Sequence, residues 1–150
     1  MSETTSTLKP APIQRPEFRN IDFPSIAFGY RLPLAGRVSI LHRVSGLLLF
    51  VLLPFIIWLF DVSVTSEISF ERFTSLYTAG IGFLPVWFIK LVTLVLMWAY
   101  LHHFCAGVRH LWMDATHSVT KSFGRSSAIA VFVISLALTA ILGLKLFSVF

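Results

Sequence analysis

Three runs of apolar residues constrain this chain more than any other feature: "VSGLLLFVLLPFIIWLF", "LPVWFIKLVTLVLMWAYLHHFCAGVRHLWM" and "SAIAVFVISLALTAILGLKLFSV". A bilayer core of about 30 Å takes roughly 20 helical residues to cross. The runs therefore predict membrane-spanning helices over about 42–61, 85–112 and 126–148. Composition agrees, with 56% hydrophobic and 13% charged residues, whereas soluble domains sit near half apolar and a quarter charged. The expected fold is an all-α membrane protein with three spans in a helix bundle. Pro54 falls inside the first span, where a helix can continue only with a kink. Pro85 suits the first turn of the second, and Lys90 and Lys145 lie near span ends, from which a long side chain can snorkel to headgroups.

Charge sets the expected orientation. Lys9, Arg15, Arg19, Arg31, Arg37 and Arg43 precede or open the first span, while the loop after it carries Glu67, Glu71 and only Arg72. Lys121 and Arg125 return to the basic side. Because positive residues mark the cytoplasmic face, the N-terminus is expected in the cytoplasm or matrix and the C-terminus in the periplasm or intermembrane space. The net charge of +5 then reflects membrane orientation rather than nucleic-acid binding. Residues 1–38 read as a cytoplasmic segment, partly extended, and 39–150 as the membrane anchor. No signal peptide is evident in the first 43 residues. Cys105 has no Cys-x-x-Cys partner and reads as a small buried hydrophobe. No internal repeat suggests a transporter.

The second span carries "HHFCAGVRHLWMD", and ionisable groups inside a membrane mark functional sites. On a helix His103, Gly107, His110 and Asp114 share a stripe, while His102 points about 100° away from His103. A deep imidazole facing a bundle interior suits a haem iron, with Gly107 leaving room for a flat macrocycle. Arg109, His110, His42 and Arg43 are candidates to meet its anionic propionates. A proton relay, or a purely structural histidine bonded to a carbonyl, fits the same spacing. His102 reads as a polar neighbour. His42 lies near the start of the first span, too shallow to face His103 across an iron, so a second axial histidine would have to come from another chain.

At the mouth of the first span, "SILHRVSG" puts Ser39, His42, Arg43 and Gly46 on one side of a helix. A hydroxyl and a guanidinium one turn apart at the membrane surface can hold the carbonyls of a quinone. The plainer reading is that Ser39 caps the helix and Arg43 meets lipid phosphate.

Together these motifs resemble the cytochrome b subunits of succinate dehydrogenase, the larger membrane anchors of respiratory complex II. The family pattern is "RP", then "SxxHRxSG", then "HxxxGxRHLxxD". The chain reads "RP" at 15–16, "SILHRVSG" at 39–46 and "HFCAGVRHLWMD" at 103–114. The resemblance implies His103 as axial ligand of haem b, opposite a histidine of the smaller membrane-anchor subunit. It implies Ser39 and Arg43 at the ubiquinone site beside the iron–sulfur subunit, and His42, Arg43, Gly107, Arg109 and His110 around the haem. Asp114 would pair with a basic group or the iron–sulfur subunit. Flavin and clusters would belong to the flavoprotein and iron–sulfur subunits, since the chain has neither a "GxGxxG" nor a cysteine cluster. The chain would then be a subunit of succinate:quinone oxidoreductase rather than an enzyme by itself. The alternatives are a quinol:fumarate reductase anchor and a haem-free anchor for soluble redox subunits.

Overall fold

The computed structural model of the chain describes residues 20, 22, 24, 25 and 29–149. The chain divides into two units, Met1–Arg31 and Leu32–Phe150. Most of the N-terminal segment expected over 1–38 lies outside the described residues. In the first unit the Ser25 hydroxyl donates to Asp22 at 2.5 Å. Among the described residues the second unit holds five helices: α1 (Leu34–Val51), α2 (Leu53–Val64), α3 (Glu67–Thr78), α4 (Val86–Thr116) and α5 (Lys121–Val149).

Three of these, α1, α4 and α5, are long and apolar enough to cross a membrane. Each starts or ends outside the predicted span. α1 begins at Leu34, so residues 34–38 are helical rather than extended. Near its far end the span breaks at Leu52, where φ is −91° and ψ 4°. Pro54 causes the break, because its ring leaves the Phe50 carbonyl without the helical N–H it would otherwise bond. The chain then resumes as α2, with the proline in its first turn.

Beyond α2 an unexpected helix, α3, occupies what sequence alone suggested was a loop. Its start is fixed by a reciprocal cap: the Ser69 N–H donates to Ser66 Oγ at 3.1 Å, and the Ser66 N–H donates to Ser69 Oγ at 2.8 Å. Such a pair satisfies two of the orphan donors of a first turn. α4 is 31 residues long, about 46 Å at 1.5 Å per residue, so it outruns the bilayer core. It stops at His117, whose φ of 51° is left-handed and ends an α-helix.

α4 packs against both α1 and α5, and α1 also meets α5. Small residues make the approach close, as is common where helices pack in lipid. Ala99, Ala106, Ala128 and Ser135 are fully enclosed. A Cβ on Gly143 would come within 2.8 Å of Leu94 Cδ1, so the Leu94 side chain of α4 packs directly over the glycine of α5. One core cluster joins Val38, Ala106, Ala128 and Val131. The other joins Leu76, Tyr77, Ile89 and Leu146, and seats α3 on the bundle. Lys90, expected to snorkel, is instead buried, with its Nζ 5.4 Å from the Phe147 ring centroid. The ring face offsets part of the cost of desolvating the ammonium.

Candidate functional site

The polar centre of the bundle forms where α1 and α4 cross. α1 presents His42, Ser45 and Gly46, and α4 presents His103, Gly107 and His110. His103 Nδ1 lies 3.0 Å from the His42 carbonyl oxygen. A carbonyl can only accept, so Nδ1 carries the proton and donates. Ser45 Oγ donates to the same carbonyl at 2.9 Å and lies 3.3 Å from Nδ1. The carbonyl contact selects the Nδ1–H tautomer of a neutral ring, the form in which Nε2 has a free lone pair. Among the described residues Nε2 makes no hydrogen bond.

Gly46 opens this arrangement. Helical side chains lean back over the preceding turn, so a side chain at 46 would cover the His42 carbonyl. A Cβ there would come 2.8 Å from His103 Cε1 and 3.2 Å from Nδ1. Sequence reading placed Gly46 on the right face but gave it no role, and overlooked Ser45. Ser45 is 1% exposed, and its place inside "HRVSG" was the available signal.

His42 is not the shallow residue expected. Its ring stacks on His103, with centroids 4.1 Å apart and planes 13° from parallel. His110 lies tilted beside it, 5.2 Å from His42 between centroids. Three imidazoles thus form one group. The stacking still bars His42 from facing His103 across a metal, because trans ligands aim their nitrogens at each other along one axis. Gly107 adjoins His42 too: a Cβ would lie 3.6 Å from His42 Nε2. That is an ordinary van der Waals separation, so the imidazole borders the room Gly107 leaves without filling it.

His102 occupies the opposite kind of site. It is fully enclosed, stacked on Trp98 at 5.4 Å and tilted against Phe132 at 5.6 Å. Neither ring nitrogen reaches a hydrogen-bond partner among the described residues, although the Val38 carbonyl approaches it.

Arg109 departs from its expected place. It follows His102 by seven residues and shares its face, so it turns to α5. Nε donates to Ser127 Oγ at 2.9 Å and Nη2 to the Gly124 carbonyl at 3.4 Å. It fastens α4 to α5 instead of joining the histidines. Ser39 is half-buried and Arg43 exposed. Ser39 lies on the same stripe of α1 as Gly46, about 10 Å nearer the helix start, and Arg43 is one turn beyond Ser39. Neither makes a side-chain hydrogen bond among the described residues, where no group of three or more His, Cys, Asp or Glu could hold a bare metal ion. Asp114 lines a shallow recess with His110 and His117.

A polar crossing of this kind, inside three apolar helices, calls for comparison with known membrane proteins. Residues 26–142 match the succinate dehydrogenase/fumarate reductase transmembrane subunit family. The chain belongs to that family. It is a multi-pass membrane anchor subunit of succinate dehydrogenase, of the cytochrome b556 type. Its relatives include the succinate dehydrogenase cytochrome b556 subunit of Coxiella burnetii, 35% identical over 71% of this chain and 80% of the relative. The subunit of the same name from Paracoccus denitrificans is 33% identical over 81% of this chain and 87% of its own length. That of Rickettsia felis is 26% identical over 75% and 82%.

Proposed function

We propose that this anchor binds haem b through His103 and forms part of the site where ubiquinone takes electrons derived from succinate. One observation carries the reading: His103 Nδ1 is tied to the His42 carbonyl at 3.0 Å, which leaves Nε2 as the free donor. Metal-bound histidines are held this way, the second nitrogen bonded to a carbonyl or carboxylate that fixes the ring and raises its basicity. Haem bound there would carry single electrons.

The chain's own residues supply the rest. The His42 carbonyl and Ser45 orient the ligand, and Gly46 lets them reach it. His42 and His110 are the groups nearest the ligand ring that could meet propionates, with Arg43 close by on α1. Arg109 holds α4 against α5. Ser39 donates its hydroxyl to a quinone carbonyl, and the Arg43 charge favours the negative charge that grows on the quinone oxygen during reduction. Among the described residues only His103 is correctly turned, so the smaller anchor subunit would have to supply a second histidine to hold the haem. The flavoprotein and iron–sulfur subunits dock at the basic end, with the N-terminus on the cytoplasmic or matrix side of the inner membrane.

Difference spectra of the purified assembly test this. Wild type gives a low-spin b-type spectrum, His103→Ala abolishes it, and His102→Ala preserves it. A spectrum lost with His102 and kept without His103 would overturn the ligand assignment. A wild-type assembly without haem would leave a haem-free anchor.

A further inference from the structure

A second polar region lies away from the histidines, where the start of α1 meets the turn between α4 and α5. Arg37, Arg109, Lys121 and Arg125 line a cavity of about 650 Å³ there, together with apolar side chains that include Leu34 and Val119. No acidic residue lines it. Arg109 is only 7% exposed, and its two hydrogen bonds, to Ser127 and Gly124, go to neutral oxygens. Among the described residues no carboxylate pairs with it. A guanidinium has five N–H donors, and a buried charge without a counter-charge is costly. Four cations around one cavity give it a positive potential that favours an anion.

We propose that this cavity holds the phosphate of an anionic phospholipid. Charge complementarity selects a phosphate oxyanion, which guanidinium groups bind in a forked, charge-assisted geometry. The apolar lining and the position at the end of three spans select a phosphate carried on a lipid, with its glycerol against Leu34 and Val119. The bound headgroup bridges α1, α4 and α5, because each contributes a cation. This inference is independent of the haem reading, since no histidine of the α1–α4 crossing lines the cavity.

The test uses the intact assembly, stripped of loosely held lipid and titrated with phosphatidylglycerol or phosphatidylcholine while native mass spectrometry counts bound lipid. Arg109→Leu is the obvious variant, but it also removes the α4–α5 clasp. The double change Arg37→Gln/Arg125→Gln alters only exposed ends. Wild type should bind phosphatidylglycerol about thirtyfold more tightly than the double variant, from the known worth of two basic residues against an anionic headgroup. Phosphatidylcholine should bind both alike. Equal phosphatidylglycerol binding by both proteins would overturn the site. If inorganic phosphate raised the melting temperature of wild type, and not of the variant, as much as the lipid did, the cavity would take a free anion and the lipid assignment would fall. If neither anion distinguished the two proteins, a carboxylate of another subunit would be the better occupant.

Discussion

His102 and His103 are adjacent in the chain and opposite in circumstance. His102 is sealed between Trp98 and Phe132 with neither nitrogen hydrogen-bonded among the described residues, whereas His103 is partly open and anchored through Nδ1 to the His42 carbonyl. Burial alone would favour His102, whereas the proposed ligand is the more open His103. A ligand histidine needs one nitrogen restrained and the other available, and only His103 meets both conditions. The step of about 100° between neighbouring helical residues separates a core residue from a site residue.

The strongest way to break the contrast is Gly46→Leu. Its Cβ alone would come 2.8 Å from His103 Cε1, so the ring or α1 must shift, and the longer leucine side chain should drive the ring off its carbonyl. Haem content per assembly should fall to the level of His103→Ala, measured by pyridine haemochrome assay. Retained haem would mean that α1 can move aside. Next in size, Arg43→Leu should cut succinate:quinone reductase activity on the order of a hundredfold, the usual loss when a group stabilising developing charge is removed. Succinate oxidation by artificial acceptors should persist, and equal loss of both would indicate failed assembly.

His102 should respond in the reverse sense. His102→Ala leaves a cavity between two aromatic rings and should cost about 2–4 kcal/mol in thermal unfolding. His102→Leu fills the space without unbonded nitrogens, and should be neutral or stabilising. A haem spectrum changed by His102→Leu would blur the distinction between the two residues. Smallest, Ser45→Ala removes one bond around the His42 carbonyl while the His103 bond survives. It should weaken haem retention by about 1 kcal/mol, read as faster loss of haem to an apo-globin acceptor.

The three spans could be read from sequence because length and apolarity suffice for that, and Pro54 announced the break at Leu52. α3 was missed because its cap uses two serines, Ser66 and Ser69, instead of the usual Ser and Glu pair. In the site, the stripe of His103 and His110 followed from helical spacing. The depth of His42 did not, because spacing along one helix says nothing of its level against another. Arg109 was grouped with the histidines by nearness to the membrane surface. Its seven-residue interval from His102 pointed to α5, and the interval was the better guide.

The group that restrains His103 is main chain, so it belongs to no residue type. Replacing the side chain at position 42 leaves the acceptor in place, and an alignment column cannot record it. What must be preserved is the phase of α1: one inserted residue would turn the carbonyl about 100° and carry it 1.5 Å along the axis. The anchor's first helix can therefore accept many sequences on its outer face, yet it tolerates no change in length between its crossing with α4 and the contacts that hold its lower end.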